Sequence, residues 1–284
     1  MKRDAALSPP PGGALAPAAR RGWLGELCSG WGFVERNFRL IRRYAAWEVA
    51  EQFYNVVNAL TIALIGVAQG PEVVLYLTVG ALLWGFLSVI FMEVATSVQW
   101  ERWEGTIEST FMAPIHRLTF LLGTSAWAVL YGLVRTSVVL GAVALFFRMD
   151  LSRANLGAAL LVLVVSSFSF IGLGLIAAVL PLLSPEKGAQ ATHIIQGVLL
   201  LISGVYYEID ALPAWLQPLS WISPATYTLR DVRRAVLHGA TVGQLAPDLL
   251  RLGLFALVMI PLGYAVFATA ERYALRKGLL KRNG

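Results

Sequence analysis

The chain is 284 residues long, with 57% hydrophobic and 14% charged residues, a mean hydropathy of +0.65 and a formal net charge of +6. So little charge over so much apolar sequence rules out an ordinary water-soluble domain and puts the chain in a bilayer. The basic balance then belongs to residues flanking membrane spans and to anionic lipid heads, not to nucleic acid, and the single cysteine, Cys28, excludes an internal disulfide and a cysteine-based metal cluster.

Residues 1–22 are rich in Pro, Ala and Gly and lack an apolar core, which predicts a disordered cytoplasmic tail and no cleaved signal. Residues 23–284 read as one transmembrane domain. From Trp31 to Trp47 the pattern is amphipathic, with Arg36, Arg39, Arg42 and Arg43 on one helical face and Val34, Phe38, Ile41 and Ala45 opposite. That predicts an interfacial helix with its basic face toward headgroups, or equally a plain juxtamembrane stop signal.

Six apolar runs follow, at roughly 49–69, 73–96, 118–147, 155–183, 189–207 and 248–270, each near the length a helical crossing needs. None alternates with a period of two, so a barrel is excluded. The expected fold is an all-α integral membrane protein with six transmembrane helices. The first run carries a polar stripe of Gln52, Asn55 and Asn58, and the fifth a second one of Gln190, His193 and Gln196. Such stripes make interhelical hydrogen bonds or face a translocation path. Arg135 is the one charge well inside a run and falls toward the outer half of the third; it either contacts substrate or is packed, bonded to helix carbonyls, Glu208 or Asp210.

Between the second and third runs lies a charged segment, about 99–115. At about 100° per residue it puts Trp100, Trp103, Ile107 and Phe111 on one stripe and Glu101, Glu104 and Glu108 on an adjoining acidic flank. A helix of this kind lies flat on the membrane and offers three carboxylates to a soluble partner. The outer segment, about 208–239, contains Pro213, Pro218 and Pro224, which prevent one continuous helix. Ser223 before Pro224, with Gly239 after, predicts a short helix over about 224–237. Tyr206, Tyr207, Trp215, Trp221 and Tyr227 mark an interface, so short helices dipping into the outer leaflet are expected.

With six spans both termini share a side, and that side carries 16 Lys and Arg against six on the other, Arg135 being the remaining one of 23. The positive-inside rule places the termini and the acidic segment in the cytoplasm of a multi-pass cell-membrane protein, although Arg230, Arg233 and Arg234 pull the other way.

This order of elements resembles the permease subunit of type 2 ABC exporters. The family's cytoplasmic signature is matched by Glu104, Gly105, Thr106, Glu108 and Pro114, and its outer one by Gly204, Leu212, Pro213, Trp215, Pro224, Tyr227 and Arg230. The resemblance implies that the acidic helix is a coupling helix docking in a cleft of an ATPase subunit. It also implies pairing with a second permease, identical or related, and outward movement of an amphiphilic, drug-like or lipid-like compound. A polysaccharide or glycolipid exporter is the alternative within the family.

The residues agree on where ATP is handled. A P-loop needs a glycine directly before its lysine, and Lys2, Lys187, Lys277 and Lys281 all lack one. The expectation is therefore a non-catalytic subunit that binds no cofactor, with ATP and Mg used by a separate ATPase chain. Two other classes are weaker. A membrane-embedded enzyme would need a motif such as His-Glu-x-x-His or Gly-x-Ser-x-Gly, and neither occurs. A secondary transporter or channel would carry buried ion-coupling carboxylates, whereas Glu48, Glu51 and Glu93 sit near predicted cytoplasmic span ends.

Overall fold

The computed structural model describes residues 23–106, 110, 117–148 and 154–278, and every element among them is helical. The helices are α1 (Trp23–Arg43), α2 (Ala45–Val67), α3 (Pro71–Glu104), α4 (Arg117–Phe147), α5 (Leu156–Ala177), α6 (Val179–Leu183), α7 (Pro185–Ile202), α8 (Gln217–Ser220), α9 (Pro224–His238) and α10 (Val242–Lys277), with a 3₁₀ turn at Ile209–Ala211. The tail expected over 1–22 lies outside the described residues.

By length and composition, four of the described helices can cross a bilayer: α3, α4 from Leu118, the α5–α6 pair, and α10. The expected count of six differs at α2 and α7. Both are helical, but α2 carries Glu48, Glu51, Gln52, Asn55 and Asn58, and α7 spans only 18 residues with Lys187, Gln190, His193 and Gln196 among them. Their polar side chains dilute the apolar signal that a spanning helix normally presents.

α3 and α5–α6 form the centre. Over half of their most apolar stretch is buried within the protein, against 17% for α4 and α10, whose apolar side chains face outward to lipid. A continuous core of α3, α4, α5, α9 and α10 side chains includes Phe86, Phe91, Phe120, Phe170 and Phe267, all nearly fully buried. α10 runs along α5 at close range because glycines meet there. A Cβ on Gly172 would lie 2.6 Å from the Met259 carbonyl carbon, and one on Gly263 2.6 Å from the Gly172 oxygen. Lipid tails are as apolar as leucine, so helices in a membrane associate through this kind of backbone approach and van der Waals contact.

The ends are set by local chemistry. Thr241 and Gln244 form a capping box that starts α10, and Asn155 caps α5 by accepting from the Ala158 N–H at 3.0 Å. α9 begins at Pro224 and stops before Gly239, which takes a left-handed φ of 63°. The proline and glycine signals thus act where the sequence put them. Ser223, however, makes no side-chain cap; its hydroxyl lies 2.9 Å from that of Ser203 instead.

α1 begins earlier and ends earlier than the 31–47 pattern implied, breaking at Tyr44, so that Trp47 belongs to α2. It packs along the start of α4, with Phe33 edge-on to Phe120 at 5.3 Å.

Candidate functional site

The two polar stripes meet. Between α2, α3, α4 and α7 lies a cavity of about 420 Å³ whose walls include Asn55 and Asn58 from α2, Arg135 from α4, and His193 and Gln196 from α7. Helical periodicity turns residues three apart to one face, and two such faces from helices far apart in sequence close on one space. His193 Nδ1 and Gln196 Oε1 are 3.3 Å apart, one turn along the same helix. Two of the expected residues stand elsewhere. Gln190 is exposed and outside the cavity wall, and Gln52 reaches across to α4, donating to the Arg135 carbonyl at 3.0 Å.

Arg135 is paired, but neither with Glu208 nor with Asp210. Its Nη2 donates to Glu51 Oε1 at 2.7 Å, its Nη1 to the Tyr131 hydroxyl at 3.0 Å and its Nε to Gln52 Oε1 at 3.3 Å. Tyr131 in turn donates to the Glu48 carboxylate at 2.8 and 2.9 Å. The guanidinium is thus neutralised by the N-terminal part of α2 and engaged at all three nitrogens. It is held beside Glu48 and Glu51 of α2.

Glu51 and Glu93 are cavity residues that sequence reasoning passed over because they lie near span ends. Glu93 has no hydrogen bond among the described residues, although it feels the charges of Arg135, Glu51 and Glu48 through space. Ser88, also in the wall, keeps a buried hydroxyl without a partner. No single helical face flags both: at about 100° per residue Ser88 and Glu93 stand about 140° apart on α3, and only the fold brings them into one wall.

A second, larger space of about 1070 Å³ opens on the other side of Tyr206, whose side chain helps line both. This vestibule is walled by the start of α3, by α9 and by the 204–210 segment, with Glu72, Glu208, Asp210, Arg230, Arg233 and Arg234 among its residues. Arg233, only 8% exposed, locks the wall. It donates to the Tyr76 hydroxyl at 2.9 Å and to the carbonyls of Gly204 and Val205 at 3.0 and 2.5 Å, stacked 3.6 Å from the Tyr76 ring centroid.

The outer signature residues divide into two groups. Pro213 and Trp215 are exposed, the latter at 73%. Pro224 and Tyr227 are buried, the Tyr227 hydroxyl donating to the Trp221 carbonyl at 2.7 Å, so Tyr227 is a packing residue instead of an interface one. Arg230 lies over the Tyr227 ring at 5.3 Å and pairs with Asp248 at 2.5 Å. Asp231 beside it is fully buried with Arg234 3.7 Å away; burial, reinforced by the Asp248 charge, pushes its carboxyl up to about 7.

At the opposite end, the helix expected to lie flat over 99–115 begins as the last turn of α3, which runs unbroken to Glu104 and stops at Gly105, φ 71°. Nothing before Gly105 breaks the helix, so the charged residues continue it. Trp100 and Trp103 are exposed, stacked edge-on at 5.4 Å, and Glu104 is exposed beside them. Glu101 departs from the expected water-facing flank. It is 2% exposed and accepts from Arg36 of α1 at 2.5 Å and from the hydroxyls of Thr106 and Thr110 at 2.7 Å each. One carboxylate therefore ties α1, α3 and the segment beyond Gly105 together. Arg102 adds a fourth tie, donating to the Leu182 carbonyl of α6 at 2.7 Å. Glu108 and Pro114 lie outside the described residues. Of the basic face of α1, Arg36 turns inward to Glu101 while Arg39, Arg42 and Arg43 stay exposed, Arg39 paired with Glu35.

The profile of the ABC-2 type transporter family matches residues 31–237, from α1 through α9. The chain belongs to that family. Among curated proteins, the probable multidrug ABC transporter permease YbhR of Escherichia coli K12 and that of Escherichia coli O157:H7 are each 22% identical to it over 154 residues, 54% of this chain. The match spans 41% of those relatives' length. The family match takes in both polar stripes, Arg135, Glu93, the Glu101 cluster and the Arg233 lock, so the cavity and both its ends lie within the family domain.

Proposed function

We propose that the chain is the six-span permease subunit of an ATP-driven exporter, with α2 and α7 serving as its first and fifth crossings despite their polar content. The cavity between α2, α3, α4 and α7 is the inner part of the path for an amphiphilic substrate. The observation that carries this reading is Tyr206, which lines both the inner cavity and the outer vestibule, so that the two spaces adjoin at one residue. A half-apolar wall of Trp84, Val89 and Met92 beside polar groups suits a compound with both characters. Phe53 and Tyr54 on α2 and Ile194, Val198 and Leu201 on α7 are exposed apolar residues flanking that cavity, where a second permease closes it.

ATP is hydrolysed by a separate subunit that docks at the cytoplasmic end of α3, against Glu104 and the following segment with Gly105, Thr106, Glu108 and Pro114. Its motion enters through Glu101, the residue that joins that segment to α1 and α3. The termini and this coupling end are cytoplasmic. ATP and Mg belong to the partner.

The test uses inverted vesicles holding the chain, with Cys28→Ser and Ser88→Cys, and its co-expressed ATPase. ATP-driven uptake of acridine orange or Nile red should occur and should stop when the introduced thiol is alkylated. Uptake unchanged by alkylation would overturn the path, and ATP hydrolysis by the purified chain alone would overturn the division of labour. The pair Glu104→Lys with Glu108→Lys should lose the ATPase on co-purification while the spans stay folded.

A further inference from the structure

We propose that the inner cavity selects organic cations with an apolar body, and that the Glu93 carboxylate is the group that recognises the charge. The proposal rests on the reading of this cavity as the substrate's path. It names the chemistry of what that path accepts.

The charges around the cavity are unequal. Its described wall holds two carboxylates, Glu51 and Glu93, against one guanidinium, Arg135, with His193 the only other titratable side chain bearing nitrogen. Glu48, just behind, adds a third acid. Three of the five N–H donors of Arg135 are engaged, Nε with Gln52, Nη1 with Tyr131 and Nη2 with Glu51, and its charge is already paired with the Glu51 carboxylate. An entering carboxylate or sulfonate would find that guanidinium already engaged and would face Glu93 directly.

Glu93 is the reverse case. It lies in the wall that Trp84, Ser88 and Met92 of α3 also line, and no side chain or backbone group hydrogen-bonds to it among the described residues. A carboxylate in a half-apolar membrane cavity without a partner is costly, and a cation that enters relieves that cost while gaining a charge–charge contact strengthened by the low dielectric. The neighbouring surface suits the rest of such a ligand. Trp84 and Tyr206 offer π faces to a quaternary or protonated amine, and Val89 and Met92 offer apolar contact. The volume of about 420 Å³ lies within the range that holds drug-sized ligands.

Three probes of similar shape and different charge decide it: tetraphenylphosphonium, triphenylphosphine oxide and tetraphenylborate. The full chain, with Cys28→Ser and Ser88→Cys, is placed in lipid nanodiscs and the alkylation rate of the introduced thiol is measured against each probe. Protection by the cation at the lowest concentration, by the neutral compound only at higher ones and by the anion least is the expected result. Glu93→Gln should weaken protection by the cation by at least about tenfold, the scale of one charge–charge attraction in a partly screened site, and leave the neutral probe unchanged. Glu93→Asp keeps the charge and should keep the selectivity. Arg135→Gln, which releases Glu51, should tighten the cation.

Equal protection by all three probes, or a Glu93→Gln variant that binds the cation as before, would overturn the charge selection and leave the path reading standing. No protection by any probe, with the thiol freely alkylated, would sink the path reading itself. Should Glu93→Gln fail to fold, the Glu93→Asp and Arg135→Gln pair still reports the sign of the charge effect.

Discussion

The two halves of this bundle are built on different physics. Where α5 meets α10, side chains are small and backbones touch, Gly172 and Gly263 facing each other with no room for even one added carbon. Where α2 and α7 meet α3 and α4, a polar cavity opens beside a small apolar cluster of Ala59, Leu82, Val139 and Val143, and α2 and α7 carry exposed apolar faces. Close packing resists rearrangement, because displaced atoms forfeit dispersion attraction that nothing replaces. A cavity with polar walls has less to forfeit. The first half is suited to stay fixed while the second moves, and Glu101 and Arg102 tie down the C-terminal end of α3: Glu101 to α1, Arg102 to α6.

The close-packed half breaks most visibly at Gly172. A valine there would put its Cβ on the Met259 backbone, and overpacking of this kind costs about 1–3 kcal/mol, more where the obstacle is backbone. Gly172→Val should lower the yield of folded protein and the midpoint of thermal unfolding in detergent. Asn55→Val, in the cavity half, should leave that midpoint nearly unchanged. Equal losses from both would mean that the halves do not differ in packing.

Next in size is the link. Glu101→Gln removes the negative partner of Arg36 and weakens the bonds from Thr106 and Thr110. Breaking a fully buried pair costs about 3–5 kcal/mol, less here because Arg36 is 38% exposed. The expected outcome is a complex that still assembles and hydrolyses ATP but moves several-fold less substrate per ATP. Transport and hydrolysis falling together would point to failed docking instead of a broken link.

How much of this is legible in the sequence depends on distance along the chain. The bounds of α9 are, because Ser223-Pro224 and Gly239 act within a few residues. The polar stripes of α2 and α7 are, because periodicity is local. That the two close on one cavity needs the fold. Arg135 is visible as an intramembrane charge, but its partner Glu51 lies 84 residues back, and no local rule connects them. Glu93 looks unremarked near a span end in sequence, when α3 in fact continues to Glu104 and leaves it deep in the helix. Glu101 misleads for the same reason: a helical wheel of a separate, flat helix turns it to water, whereas in the last turn of α3 it turns toward α1.

A smaller effect separates the α9 side of the close-packed half. Asp231, buried between α9 and its neighbours, has its carboxyl raised to about 7 by burial and then by the Asp248 charge, with Arg230 and Arg234 opposing. A raised acid binds a proton in the folded state before the unfolded chain does, so stability should rise as pH falls from about 7 toward the ordinary carboxylate range near 4. Asp231→Asn should flatten that part of the profile. A wild-type unfolding midpoint that does not change between pH 5 and 8 would show that this carboxyl is not carrying the slope.

The smallest expected effect is the sharpest test of the cavity's outline. Gln190 and Gln196 lie on the same helix and form one stripe by periodicity, yet Gln196 lines the cavity and holds His193 while Gln190 is exposed outside it. Two glutamines of equal intrinsic helix propensity differ, then, only in what they face. Gln196→Ala should lower the apparent affinity for a transported dye by a few-fold, the worth of about one hydrogen bond, with turnover little changed. Gln190→Ala should do neither. If the two variants behave alike, whether both silent or both impaired, the wall of the path does not run where α7 turns toward α2, and the moving half of the bundle must be drawn elsewhere.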